Sequence, residues 1–244
     1  MSFILGVDFD MVVHRAAFGA QKSEKSVVVH VDPVHFALHN CKSIIETMRA
    51  KLKPDGIIGY LGARQDPTNY RLYYGKEYGC GHTRPKGYKE HRKKDPKPVH
   101  YLACRDYLMA TYKCDLAIGE EADDRLGIDM TKGRIHCIAS LDKDLDMILG
   151  RHYNWVKGIE YIIYPEQGIV NFYKQFLVGD TADNIPGVDG IGPVKAAKLI
   201  DHLDTEIDMF NVVRDIYNDD KRLLDIGRCL WIRRKEGQMW TFPG

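Results

Sequence analysis

Carboxylates recur in groups along the chain: Asp8 and Asp10 in VDFD, Glu120, Glu121, Asp123 and Asp124 in GEEADD, Asp142, Asp144 and Asp146 in SLDKDLD, and Asp180 and Asp183 in GDTAD. Their spacing lets each group present acids together. Asp142 and Asp144 share a face if 140–146 is extended, Asp180 and Asp183 lie one turn apart if 179–183 is helical, and a helix from 121 projects Glu121 and Asp124 together. Carboxylates held this close repel one another unless cations or raised pKa values offset the repulsion. Hard divalent cations suit such oxygen ligands, and Mg²⁺ takes few protein oxygens while keeping waters and substrate phosphates. Two such ions about 4 Å apart activate a water and stabilise a leaving oxygen, which is the chemistry of phosphodiester hydrolysis. Any one of these aspartates is as readily a helix cap. Four groups, each at an expected strand–helix junction, point instead to a metal site, with Asp10 and Asp146 its weakest members and Glu120 facing solvent.

The junctions follow from the apolar pattern. Buried strands are expected at 3–9 (FILGVDF), 56–62 (GIIGYLG), 135–141 (IHCIASL) and 161–170 (YIIYPEQGIV), the last a candidate hairpin. Helical periodicity fills 34–52, 99–113 and the stretch around 120–130. Strands alternating with helices of this length predict an α/β fold with a mostly parallel central sheet flanked by helices. Sites in such sheets form at the carboxyl ends of strands, where Asp8 and Asp142 fall. After residue 170 the texture changes to helices separated by glycine turns, so 1–170 reads as the sheet domain and 171–244 as a helical subdomain packed on it. Residues 64–98 form a tyrosine-rich, basic insertion nearly free of aliphatic side chains, with seven Lys or Arg against two acids within 84–97. It is too polar for a core of its own and reads as a mobile excursion or an arch.

The stretch GVDGIGPVKAAKLI (187–200) combines turn glycines with a helix starting near Pro193. Amides at that helix start, with Lys195 and Lys198 one turn apart, suit a phosphate. It is not a P-loop, because Pro193 stands where that motif needs lysine, and no clear strand precedes it as a dinucleotide site requires. A turn of this kind grips a DNA backbone without sequence preference; the plainer alternative is a helix–turn–helix connection with solvated lysines.

With 244 residues, 44% of them hydrophobic, the chain can bury a full core, and a net charge of +1 excludes a bulk polycation. Six scattered cysteines read as free thiols of a reducing cytoplasm. The opening MSFILGVDFD reads as a first strand and not a signal peptide, and no apolar run reaches the ~18 residues of a membrane span. A soluble, cytoplasmic protein without a membrane partner is expected. Cys80 and His82, near His91 and His100, lack the second ligand pair of a zinc site. Trp155, Trp231 and Trp240 read as packing residues.

Taken in order, VDFDMVVHR (Asp8, Arg15), YKEHR (88–92), EADD (121–124), SLDKDLD (140–146) and GDTADNIPGVDGIG (179–192) resemble the flap endonuclease/5′-3′ exonuclease family, and the short length is most similar to its bacteriophage members. The resemblance spans residues ~3–200. It implies a PIN-like nuclease with a helical arch and a helix–three-turn–helix element, which cuts DNA near 5′ ends, flaps or junctions. It implies that Asp8, Glu121, Asp123, Asp124, Asp142, Asp144, Asp180 and Asp183 hold divalent metal, expected to be two Mg²⁺ with Mn²⁺ able to substitute. Lys89 and Arg92 fall on the basic residues that contact the scissile phosphate; alone, Lys89 would read as one more solvated lysine. Gly187, Gly190, Gly192, Lys195 and Lys198 fall on the duplex-binding turn, where K⁺ binds in relatives, and Arg15 and Arg71 are further candidate DNA contacts. Tyr70, Tyr73, Tyr74, Tyr78 and Tyr88 are candidate base stackers. One departure stands out: relatives with the full set carry an aspartate at the end of the second catalytic strand where this chain has Gly62, so either Asp66 substitutes from the loop or the site manages with one ligand fewer. A DNA-binding monomer is expected, with replication proteins as candidate partners; a non-catalytic junction binder and a PIN-type ribonuclease are the alternatives.

Overall fold

The computed structural model describes residues 2–24, 27–76, 87–90 and 96–244. The chain opens with β1 (Ile4–Asp8) and α1 (Phe9–Phe18), then a hairpin of β2 (Gln21–Glu24) and β3 (Val27–Val31). There follow α2 (Val34–Leu52), β4 (Gly56–Gly62), α3 (Tyr70–Tyr74), α4 (Tyr101–Thr111), β5 (Cys114–Ala117) and α5 (Ala122–Thr131). β6 (Cys137–Ala139), a 3₁₀ turn over Lys143–Met147, β7 (Gly150–Asn154) and β8 (Ile159–Ile163) complete the sheet. The remainder is α6 (Pro165–Val178), the two-residue strands β9 (Gly179–Asp180) and β10 (Ile185–Pro186), and helices α7 (Pro193–Ile200), α8 (Glu206–Tyr217) and α9 (Asp220–Leu230).

The central sheet has the order β5–β4–β1–β6–β7–β8. Its strands are parallel except β8, which runs antiparallel to β7. Alternating side chains feed two cores. From β4, Ile57 and Leu61 pack with α1, α2 and α4, while Ile58 and Tyr60 turn to the opposite face. That second core joins α5 to the late helices through Leu126, Phe172, Phe176, Ile226 and Trp240. Burying each large apolar side chain contributes about 1.5–3 kcal/mol, so these cores fix the sheet's carboxyl edge in place. Helix α2 shows the local logic: Ala37, Cys41, Ile45, Met48 and Leu52 are buried at helical spacing, and Lys53 ends it in the left-handed region at φ 51°.

One expected strand is corrected. Of 161–170, only the start is extended, and the rest opens α6. Pro165 at the first helical position, the Tyr164 amide bound by Gln167 Oε1 at 3.1 Å, and buried Phe172, Tyr173, Phe176 and Leu177 favour helix there. The hairpin exists, but it joins β7 to β8. Among the described residues, no helix is long and apolar enough to cross a membrane.

Candidate metal centre

The carboxyl edge of the sheet assembles the acids. Asp8 ends β1 and caps α1, accepting from the Met11 amide at 3.1 Å and from Ser140 Oγ at 2.8 Å. Ser140 also accepts from the Asp142 amide at 3.0 Å, so one hydroxyl ties the ends of β1 and β6 together. Asp142 in turn caps the 3₁₀ turn, taking the Asp144 amide at 2.9 Å. The pair Asp142–Asp144 therefore meets through a cap and a tight turn, not through strand alternation. Glu121 caps α5 in a reciprocal box with Asp124, which places Asp123 in the first turn.

GDTAD is likewise not helical. Asp180 lies in β9, opposite Ile185 of β10, and accepts from the Ala182 amide at 2.7 Å. The turn between them brings Asp183 back, so that Asp144, Asp180 and Asp183 each offer an oxygen within 4.8 Å of the others. Gln175 of α6 steadies this group by donating to Asp144 Oδ1 at 2.7 Å.

An open cavity of about 690 Å³ is lined by Asp8, Asp10, Glu121, Asp123, Asp142, Asp144 and Asp183 together with Lys89; Asp180 lines an adjoining recess behind Asp183. Lys89 lies among the acids, its Nζ 2.7 Å from Glu121 Oε2 and 3.4 Å from Asp183 Oδ2. It takes a left-handed φ of 52°, held by its amide donating to the Asp183 carbonyl at 2.9 Å. The buried Tyr88 hydroxyl bridges the same two carboxylates, 3.0 Å from Glu121 Oε1 and 2.8 Å from Asp183 Oδ2. Tyr88 is thus a strut of the site and not a base stacker.

Electrostatics divide the acids. Burial and the neighbouring Asp10 push Asp8 up to about 7, despite its two hydrogen bonds. Burial, then Asp142 and Asp180, push Asp144 up to about 8. Asp123 is raised well above the usual carboxylate range by burial and by Asp142 and Asp8. Glu121 goes the other way: burial acts to raise it, but Lys89 and Arg71 outweigh that and hold it at about 2. The donor set is all carboxylate oxygen, and its mutual repulsion is what hard divalent cations relieve, so the residues fit such ions.

Two sequence-predicted residues stand apart. Asp124 is completely buried and is not a member of the cavity lining; its carboxylate pairs with Arg71 and accepts from the Arg233 and Glu121 amides at 2.9 and 3.0 Å. That set of donors occupies it as a structural anchor, not a ligand. Arg71, 2% exposed, also donates to the carbonyls of Cys229 and Trp231 at 2.9 and 2.7 Å, which takes it out of reach of DNA. Glu120, expected in solvent, is buried against Arg233 at 2.8 Å. Asp66 fastens its own loop, accepting from the Thr68 hydroxyl, the Thr68 amide at 2.9 Å and the Gly119 amide at 2.6 Å, and these bonds, the hydroxyl's first, hold it below the usual range.

In the glycine turn, Gly190 takes φ 73°, and it and Gly192 have open space where a Cβ would stand. Gly187 differs: its Cβ would meet the Val178 carbonyl oxygen at 2.3 Å, so it serves close backbone packing instead of facing outward. Lys195, Lys198 and Arg15 are exposed. Arg92, Tyr78, Cys80, His82 and His91 lie outside the described residues. Sequence reasoning missed Ser140 and Arg105. Ser140 adjoins the acid motif and carried that signal; Arg105, buried on α4 yet lining the cavity, carried none.

No family model matches the sequence. The chain is similar to the flap endonuclease Xni of Shewanella baltica, 34% identical over 128 residues, which are 46% of this chain and 49% of that one. It is also similar to a 5′-3′ exonuclease of Halalkalibacterium halodurans, 31% identical over 119 residues, 42% of this chain and 39% of that one. It thus spans about half the length, or less, of the curated relatives it matches. Among solved structures, T5 5′-exonuclease with bound zinc superposes with a TM-score of 0.66, covering 93% of this chain and 88% of that chain at 16% identity. The fold, a mostly parallel α/β sheet flanked by helices, is shared with T5 5′-exonuclease, and the named relatives support the family resemblance carried by the motifs.

Proposed function

We propose that this chain, with relatives among the flap endonucleases and 5′-3′ exonucleases, is itself a structure-specific 5′ nuclease that hydrolyses DNA phosphodiesters with divalent metal. The observation that carries the reading is the convergence of seven carboxylates, Asp8, Glu121, Asp123, Asp142, Asp144, Asp180 and Asp183, around one cavity and its recess, with Lys89 among them. These residues would hold Mg²⁺, with Mn²⁺ able to substitute, at two positions. Bound there, the ions supply Lewis-acid stabilisation of phosphate oxygens and a lowered pKa for the attacking water.

The chain's own groups do the rest. Ser140, Gln175 and the caps hold the carboxylates in fixed orientation, so little reorganisation accompanies reaction. Lys89 offers its ammonium to the scissile phosphate from the place it now shares with Glu121 and Asp183, with Arg92 alongside it in the motif. Gly190, Gly192, Lys195 and Lys198 hold duplex backbone, with Arg15 as a further contact and K⁺ at the 187–192 turn. The protein acts as a monomer in the cytoplasm, with replication proteins as candidate partners.

The test is incubation with 5′-labelled flap, nicked-duplex and RNA substrates in Mg²⁺ or EDTA. Mg²⁺-dependent cleavage of the DNA flap or nick is expected; binding without cleavage, or cleavage of RNA alone, would refute the proposal.

A further inference from the structure

We propose that Asp10 is an additional metal-centre carboxylate, occupying the space that a side chain on residue 62 would otherwise take. This rests on the metal-centre reading above. β1 and β4 are adjacent parallel strands that end beside one another, with Asp8 opposite Tyr60 in the register. The end of β4 is therefore placed to deliver a side chain toward Asp8. It delivers none, because residue 62 is glycine. Asp10, in the first turn of α1, fills the gap: its Oδ2 accepts from the Gly62 amide at 2.8 Å and lies 3.3 Å from where a Cβ on residue 62 would stand. Gly62 is not in the left-handed region, so the backbone would accept another residue there, and Asp10 is the neighbour that crowds it.

A second group fixes this arrangement. Arg105 donates to the Gly62 carbonyl at 2.5 Å and stands 3.4 Å from Asp10 Oδ1, with only 5% of its side chain exposed. One buried guanidinium thus latches the end of β4 and the acid that replaces its side chain. Among the described residues each Asp10 oxygen has one hydrogen-bond partner and, with two lone pairs, keeps capacity for a cation. The carboxylate is 35% exposed, and it lines the same cavity as Asp8, Asp123 and Asp142. Asp66, the acid nearest in sequence to Gly62, also lines the cavity, but Thr68 and Gly119 hold its carboxylate.

The experiment is a Mn²⁺ titration of the intact protein, read by the electron paramagnetic resonance of free Mn²⁺, with far-UV circular dichroism confirming that each variant is folded. Asp10→Asn is expected to weaken Mn²⁺ binding ~10-fold or more, a loss at least as large as that from outer-shell partners. Moving the acid, in Asp10→Ala/Gly62→Asp, is expected to regain most of that loss relative to Asp10→Ala, whereas Asp66→Asn leaves binding unchanged. Wild-type Mn²⁺ affinity in Asp10→Asn, or no recovery in the transposed variant, would overturn the inference while leaving the metal centre standing. Absence of Mn²⁺ binding by the wild type would remove the centre itself.

Discussion

Asp8 is buried and Asp144 half-buried, each with other acids as neighbours, and this should make the fold's stability depend on pH and metal. Their folded-state values, about 7 and about 8, lie above the ordinary 3.8, so the folded state holds more protons than the unfolded state between those limits. Stability from these groups is then full below the ordinary value and is lost as pH rises through 7 to 8. In EDTA, thermal unfolding followed by circular dichroism should show a falling midpoint from pH 5 to pH 8. Added Mn²⁺ should raise the midpoint more at pH 8 than at pH 5. A flat profile in EDTA would contradict the assigned burial and repulsion. Glu121, held at about 2 by Lys89 and Arg71 against its burial, acts in the opposite sense but below this window. At this scale the acids were legible because type and junction position suffice to place Asp8, Asp142 and Asp144. Asp124 was misread because its partner, Arg71, is 53 positions distant and no local spacing reveals the pair.

Elements were legible where local chemistry dictates them and were misread where packing overrules it. Pro193 after Gly192 starts α7 as the sequence implies. The stretch 179–183 looked helical, but Gly179 takes φ 74° and a Cβ there would lie 2.2 Å from the Gly187 amide, so the two glycines permit a tight pairing of β9 with β10. That pairing links the turn that carries the buried Asp180 to the segment leading into α7, where Lys195 is exposed. Lys195→Ala should weaken duplex DNA binding and reduce the slope of log affinity against log salt by about 1, without altering metal affinity. An unchanged slope, in binding isotherms measured across a salt series, would remove the phosphate contact.

For the whole molecule, the C-terminal segment is what encloses the back of the site. Arg233 and Trp231 contribute backbone groups to the Asp124–Arg71 pair, and Trp240 packs on Phe172 and Phe176 of α6. The pair is fully buried, so removing one charge leaves the other stranded. Asp124→Asn should therefore cost about 3–5 kcal/mol of folding stability in urea denaturation; a cost under about 1 kcal/mol would show that the anchor is dispensable. No residue pattern announced this enclosure, because its contacts join α3, α5 and the chain's end across long separations. The central claim, that the acid cluster cuts DNA through divalent metal, is tested most directly by one comparison: cleavage and binding of a 5′-flap substrate in Mg²⁺ by the wild type and by Asp180→Asn. The prediction is a ~100-fold or greater loss of cleavage with flap binding retained, since Asp180 is 5% exposed and offers its oxygen within 4.8 Å of those of Asp144 and Asp183. Full cleavage by the variant, or none by the wild type in Mg²⁺, would contradict the account.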